Sequence, residues 1–329
     1  MRAVVVESLS GPTAAVLREL PEPAGAHPRA RGERLLIDVH AVGLSFIDPL
    51  QTRGRYQAGA EAPYVCGSEL SGVVLEAPEG GRFAVGDRVA GIVWQGAMAD
   101  HALAAPDYLV RLPDSVSFSD GAGIYLNYST AWYALESARL SPGDTVLVQG
   151  AAGGVGTAVL DLAPAFDVRT IAVVSSPAKA ALAAACGADH VVSTDGDWLA
   201  EVRDITHGHG VQAFLDMVGG ERFADTVRAL AIGGRGIVVG FAAGTIPTIK
   251  VNRLLLRNLT LTGIGMDVME TEHPGTLERV RGAVQELLDT GRLHPVVHQR
   301  YPLERVAEAL ASIEERTALG KVVVQVKPD

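Results

Sequence analysis

Apolar residues follow two different rhythms along the 329 residues of the chain. Over roughly the first 120 residues they come in short runs such as Leu35–Val39, Ser71–Glu76, Arg88–Val93 and Tyr108–Leu112. Turns such as Gly80-Gly81 and Gly86-Asp87 separate them, a texture that predicts an antiparallel, barrel-like β domain. From about Ser119 the rhythm lengthens. Thr130 to Ala138 has a helical pattern, Leu140–Asp144 reads as a turn, and four strand–helix alternations follow. Thr145–Gln149 leads to a helix at Gly156–Pro164, Thr170–Val174 to Lys179–Cys186, His190–Ser193 to Trp198–Thr206, and Val211–Asp216 to Arg222–Ala231. Gly236–Val239 and Thr260–Thr262 add two apolar strands. The tail offers helices at Leu277–Thr290 and Leu303–Ser312 and a closing strand Lys321–Val326. Repeated alternation of this kind builds a parallel sheet with helices on both faces. Linkers are expected near Asp120–Gly123 and Gly263–Gly265.

The first alternation carries the chemistry. Val146-Leu147-Val148-Gln149 runs into Gly150-Ala151-Ala152-Gly153-Gly154-Val155-Gly156, and the chain continues as a helix. Strand, tight glycine turn and helix in that order present backbone N–H groups to a pyrophosphate. A strict G-x-G-x-x-G ending at Gly156 would need glycine at Ala151, and glycine-rich turns also serve packing alone. The turn by itself leaves a dinucleotide site and a structural turn both open.

Composition narrows the classes. With 48% hydrophobic and 20% charged residues the chain is globular, and a net charge of −10 argues against nucleic acid or an anionic membrane as partner. No apolar run approaches the roughly 20 residues that span a bilayer. Met1–Val6 reads as a short strand rather than a targeting segment. Cys66 and Cys186 are too few for a disulfide framework, so a reducing, cytoplasmic setting is expected.

In a doubly wound sheet an acidic residue after the second strand holds the ribose of NAD. Here Thr170–Val174 ends in Ser175-Ser176-Pro177-Ala178-Lys179, two hydroxyls and an amine with no carboxylate. Those groups suit the 2′-phosphate of NADPH. Ser176 followed by Pro177 is also an ordinary helix start, and the two readings are compatible.

Further segments bring a family resemblance. They are Gly43-Leu44-Ser45-Phe46-Ile47-Asp48, Gly54-Arg55-Tyr56, Pro63-Tyr64-Val65-Cys66-Gly67-Ser68-Glu69, Gly86-Asp87-Arg88-Val89 and Gly320-Lys321-Val322-Val323. With the turn at Ala151–Gly156 they resemble the medium-chain dehydrogenase/reductase superfamily, in its zinc-independent quinone oxidoreductase branch. The resemblance implies an α/β chain: a GroES-like antiparallel β-barrel catalytic domain at 1–122, a Rossmann doubly wound NADP(H)-binding domain at 123–263, and a segment 264–329 returning to the catalytic domain. Zinc members carry cysteine where Ser45 stands, histidine at Ser68 and cysteine near Asn127. Two serines and an amide are poor Zn²⁺ ligands, and Gly91–His101 has none of the four cysteines of a structural lobe, so no metal is expected.

The resemblance also implies site residues. Tyr56 matches a tyrosine proposed as proton donor in related enoyl thioester reductases, although it also suits simple loop packing. Asp48 and Ser45 are expected to line the same pocket, with a plain turn role for Asp48 equally open. Asn127 and Thr130 match a segment beside the nicotinamide ribose, and helix capping is their alternative use. Ala151, Ala152, Gly153, Gly154 and Val155 would meet the pyrophosphate, with Ser175, Ser176 and Lys179 at the 2′-phosphate. Val218, Gly240, Phe241, Ile264 and Gly265 would flank the nicotinamide, and Lys321 matches a basic position that reaches the cofactor phosphates. Thr194 stands where many bacterial members place a tyrosine.

The expected activity is NADPH-dependent reduction of a quinone or α,β-unsaturated carbonyl, without nucleic-acid or membrane partners. The alternatives are an enoyl thioester reductase, for which Arg53 and Arg55 are candidate contacts, and a non-catalytic NADPH-binding protein. Relatives commonly dimerise through sheet edges, and Thr260-Leu261-Thr262 is such an edge, so a homodimer is expected.

Overall fold

Strands that are apolar at every position need cover on both faces, and that requirement organises the middle of the chain. Thr145–Gln149 is buried at all 5 positions. The computed structural model describes residues 1–25, 27, 33–56, 59 and 61–328. They form two compact units, Met1–Leu126 with Leu277–Asp329, and Asn127–Thr276.

In the unit Asn127–Thr276, six strands lie in the order His190–Ser193, Arg169–Val174, Thr145–Gln149, Val211–Asp216, Leu230–Val238 and Thr260–Gly263. All neighbours are parallel. Counted along the chain this is the order 3-2-1-4-5-6 of a doubly wound sheet. Its switch point falls between Thr145–Gln149 and Val211–Asp216. Helices Gly154–Leu162, Pro177–Ala185, Trp198–Ile205 and Phe223–Ala229 make the crossovers. Phe214 anchors the core, its ring edge-on to Phe223 at 5.9 Å. Gly236 must be glycine, because a Cβ there would lie 2.2 Å from Phe214 Cζ.

Two helices differ from expectation. The first ends at Leu162, and Ala163–Phe166 tightens into a 3-10 turn because Pro164 has no N–H to give. The helix expected to reach Ala231 stops at Ala229. Leu230 is already extended and pairs with Val211, and a register shift precedes the pairing of Ala213 with Arg235. Gly210 sits beneath that junction at φ +83°, where a Cβ would be 2.5 Å from the Ala229 carbonyl. The helix Asn252–Arg257 was invisible in the apolar rhythm because none of its residues is buried.

The other unit holds a seven-stranded sheet ordered Val297–Pro302, Lys321–Gln325, Leu35–Leu44, Glu69–Glu76, Arg88–Ile92 and Leu109–Arg111, with His101–Ala104 also on Leu35–Leu44. Its pairs are antiparallel except Val297–Pro302 with Lys321–Gln325. A small sheet joins Ala15–Glu19, Arg2–Val6 and Tyr64–Val65. Among the described residues no pairing joins Val297–Pro302 to Leu109–Arg111. Among the described residues no helix is long and apolar enough to cross a membrane.

Candidate active site

At the switch point of the parallel sheet, the strand Thr145–Gln149 hands over to the glycine turn. Gly150 has φ +72°, and its carbonyl accepts the Gly153 N–H at 3.0 Å. A Cβ on Gly156 would lie 2.3 Å from that carbonyl oxygen and 2.6 Å from Ala151 Cα. The turn can therefore close only with glycine at 156. Gly153 is the N-cap of the nine-residue helix and supplies no side-chain cap, so the first helical N–H groups are left for an anion. Ala151 and Ala152 are buried, and their contribution to that anion site is backbone alone. Asn127 is buried against the same turn: a Cβ on Gly154 would stand 2.8 Å from its Nδ2. Thr130 follows one turn later on the helix Tyr125–Ala138.

The neighbouring strand end is organised by Asp216. Its Oδ1 accepts the Val218 N–H at 2.7 Å and the Gly219 N–H at 2.9 Å. Burial pushes its pKa up, and the two N–H donors work against that. The Met217 and Val218 carbonyls accept from Ala242 and Ala243 at 3.0 and 2.8 Å, which ties Val218 to the loop of Gly240 and Phe241. Ile264, beside Gly265, donates to the Val238 carbonyl at 3.1 Å. These residues thus gather at the carboxyl ends of the strands, where open sheets of this class bind ligands. The role of Asp216 was missed in the sequence, although a carboxylate two residues before Val218 and Gly219 is a turn-forming signal.

After the second strand, Ser176 does cap its helix, its Oγ accepting the Lys179 N–H at 3.3 Å. Ser175 and the Lys179 ammonium remain on the exposed side, 3.3 Å apart. Thr194 Oγ1 is buried and has no hydrogen-bond partner among the described residues.

In the other unit the stretch 43–48 builds a buried polar cluster. Gly43 gives room for it: a Cβ would lie 1.8 Å from the Ala122 carbonyl and 2.7 Å from Lys321 Cε. Asp48, at the start of the helix Ile47–Thr52, is 0% exposed, and its Oδ2 accepts the Ser45 N–H at 2.7 Å and hydroxyl at 3.3 Å. Burial pushes the Asp48 pKa up, against the pull of Ser45, Ser68 and Lys321. Asp48 is thus fully buried and fixes the loop that carries Ser45, the turn role that the sequence also left open. The Lys321 ammonium is buried 2.6 Å from Glu69, whose other oxygen accepts the Leu126 N–H at 2.8 Å.

Tyr56 follows that helix in a turn made by Arg53, Gly54 and Arg55 donating back to Leu50 and Gln51, and it is half-buried. Arg53 is held by both oxygens of Glu314, at 2.5 and 2.8 Å. Tyr64 was missed as a second phenol. Its Oη is buried and unpartnered among the described residues, and burial beside Cys66 and Asp48 pushes its pKa up. Its place in an apolar run hid it.

Residues 31–114 match the family described as alcohol dehydrogenase GroES-like domain, and 154–281 match zinc-binding dehydrogenase. The quinone oxidoreductase-like protein 2 of Rattus norvegicus is 35% identical over 322 residues, covering 95% of this chain and 92% of that protein. The chain belongs to the medium-chain dehydrogenase/reductase superfamily, in its quinone oxidoreductase-like group. The quinone oxidoreductase of Homo sapiens is 30% identical over 329 residues, covering 98% of this oxidoreductase and 97% of itself. A mycobacterial protein, Rv1454c, solved in complex with NADPH, aligns with TM-score 0.88 at 32% identity over 99% of this chain and all 100% of its own.

The zinc in one family description does not fit this member. Ser45 and Ser68 carry only neutral hydroxyls, that of Ser45 donating to Asp48, and Asn127 offers an amide packed on Gly154. Among the described residues no group of three His, Cys, Asp or Glu side chains could hold a metal ion.

Two outcomes are expected from the buried cluster. Lys321→Met leaves Glu69 charged and alone, and should cost about 3–5 kcal/mol by denaturant unfolding, with Glu69→Gln in the same chain restoring most of it. Equal stability of the single and double variants would contradict this. Asp48 keeps its proton to higher pH in the folded chain than in the unfolded one. Stability should therefore fall as pH rises from about 4 toward neutral, and Asp48→Asn should flatten that slope. An unchanged slope would remove Asp48 from the balance.

Proposed function

We propose that the chain is an NADPH-dependent reductase of quinones or α,β-unsaturated carbonyls. The observation that carries this reading is the uncapped helix start at Gly153–Gly156, held open at the switch point by the Gly150 turn. Gly154, Val155 and Gly156 would hold the pyrophosphate through their N–H groups, with Ser175 and Lys179 at the 2′-phosphate. Asn127, Thr130, Val218, Gly240, Phe241, Ile264 and Gly265 would border the nicotinamide half. NADPH, when bound, supplies a hydride to an electrophilic carbon of the acceptor. The chain's own work is then to orient the acceptor and to deliver a proton to its oxygen.

That proton comes from Tyr56 Oη in this reading. A phenol is protonated at neutral pH and donates to an oxyanion without a metal. Ser45 stands on a loop that Asp48 fixes, its hydroxyl donating to that carboxylate. The enoyl thioester alternative loses support from Arg53, whose guanidinium is already bidentate with Glu314 and is not open to a carrier phosphate. Arg55 lies near the same carboxylate, whose charge it stabilises. The location we propose is cytoplasmic, in keeping with two unpaired cysteines.

We also propose a homodimer through the sheet edge Thr260–Gly263. The strand has a neighbour only on the Leu230–Val238 side among the described residues. On the preceding helix Leu255 and Leu256 are 79% and 74% exposed, apolar area that a second copy would cover.

Enzyme kinetics and light scattering test these readings. NADPH oxidation should proceed with a quinone or enone panel. Ser175→Ala with Lys179→Ala should raise KM for NADPH by about tenfold or more and leave NADH unaffected. Tyr56→Phe should lower kcat by about a hundredfold with NADPH affinity unchanged. Tight NADPH binding without turnover of either class would make the protein a binder, not a reductase. For the dimer, light scattering should show two chains for the native protein and one for Leu255→Asp with Leu256→Asp; an unchanged mass for the variant would exclude this edge.

A further inference from the structure

We propose that the amino-terminal edge of the parallel sheet carries a pocket for a phosphate group, free or as a small monoester, held by Arg169, His190, His207 and His209. The pocket lies within the unit Asn127–Thr276 and has a volume of about 230 Å³, with Thr145, Thr206 and Gln212 lining it beside those four side chains. Thr145, Arg169 and His190 are the first residues of their strands. The pocket is therefore at the end of the sheet opposite the glycine turn. Thr145 stands five residues before Gly150, about 16 Å along an extended chain. The volume falls below the roughly 300–1,000 Å³ of drug-sized sites, which suits a small ion or ester.

The lining offers positive charge and donors with no carboxylate to answer them. Among the described residues the side chains of Arg169, His190, His207 and His209 have no ion pair and no hydrogen bond. In a chain of net charge −10, other arginines do find acids: Arg2 meets Asp100, Arg53 meets Glu314 and Arg228 meets Asp225. The acids that adjoin the lining in sequence are turned onto backbone. Asp144 accepts the Ser141 N–H at 2.8 Å, and Asp189 accepts the Thr170 N–H and hydroxyl at 2.7 and 3.0 Å. Gln212 adds to the donors, because its Oε1 already accepts the Thr145 N–H at 2.8 Å and Nε2 is what remains of the amide. A guanidinium fork with imidazole and amide N–H groups matches a ligand that accepts through several oxygens. Phosphate is such a ligand.

The backbone sets two of the histidines in place. Thr206 follows the helix Trp198–Ile205; its carbonyl accepts the His209 N–H at 3.0 Å and its Oγ1 accepts the Gly210 N–H at 3.1 Å. His207 and Gly210 stand at φ +51° and +83°, left-handed positions that fold the bend tightly. Both imidazoles reach the same pocket from that bend. A bend already tied by hydrogen bonds has less freedom to lose when an anion docks.

The test keeps the nucleotide site filled. With NADPH saturating, at pH 7 and low salt, the full chain is titrated by calorimetry with inorganic phosphate, methyl phosphate and chloride. Phosphate should saturate a single site per chain, and chloride should give no saturable heat. Arg169→Gln should weaken phosphate binding about tenfold, as should His207→Gln with His209→Gln, with NADPH affinity unchanged in each. These side chains are exposed, so the variants should keep the native fold. Methyl phosphate binding at least as tightly as the free ion makes the ligand an ester; weaker binding makes it the free ion. No saturation by either phosphate, or equal affinity in native protein and Arg169→Gln, would overturn the proposal. Absence of quinone or enone turnover would leave it standing, because none of these residues belongs to the site proposed for coenzyme and acceptor.

Discussion

The buried pair of Glu69 and Lys321 is the constraint on which the sheet-rich unit depends. Its 2.6 Å contact joins two strands 252 positions apart, and the second Glu69 oxygen takes the Leu126 N–H at the far end of the same unit. Such a pair adds little net stability over apolar packing, because both charges are stripped of water. What it does impose is registry, since a slipped strand would bury either charge alone. The neighbouring glycines follow from it. Gly43 is bare because Lys321 Cε and the Ala122 carbonyl occupy the space a Cβ would need, and Gly123 borders the same lysine stem at 3.3 Å. The closing strand Lys321–Gln325 is thereby held on Leu35–Leu44, and the stretch that leads on to Ser45 and Asp48 is held with it.

In the parallel unit the constraint is backbone, not charge. Strand order 3-2-1-4-5-6 separates the crossovers after Thr145–Gln149 and Val211–Asp216, so two loops must turn sharply side by side. Gly150 and Asp216 answer that demand differently. One adopts positive φ, and the other clamps two N–H groups with a carboxylate oxygen. A Cβ on Gly150 would come 3.0 Å from Val218 Cγ2, so the two loops also limit each other. Ala151 in place of a motif glycine costs nothing here. The close approach falls at Gly156, and the Ala151 side chain turns into the core.

Much of this was legible in the chain, and the reasons are specific. Strands buried on both faces announce themselves as apolar runs, so all six strands of the parallel sheet were placed and only the start of Leu230–Val238 was misjudged. That start escaped because Leu230-Ala231 suits a helix as well as a strand, and the choice is made by the pairing of Leu230 with Val211. Asn252–Arg257 escaped because an unburied helix has no apolar stripe to read. The motif glycines were legible where backbone geometry restricts the residue type, as at Gly150 and Gly156. The fates of Lys321 and Asp48 were not legible. Whether a charged side chain faces solvent or a buried partner depends on contacts between segments far apart in sequence.

The charge balance of the buried cluster gives those two residues a common logic. Asp48 and Glu69 are both fully buried, and Lys321 acts on both carboxylates. One ammonium cannot neutralise two carboxylates. Its contact is spent on Glu69, which leaves Asp48 dependent on the N–H and hydroxyl of Ser45, neutral donors that stabilise an anion far less than a cation does. The carboxyl of Asp48 therefore answers the imbalance by holding a proton more tightly than an exposed aspartate. A histidine or a cysteine in place of Ser45 or Ser68 would bring its own charge or its own thiolate and change that balance.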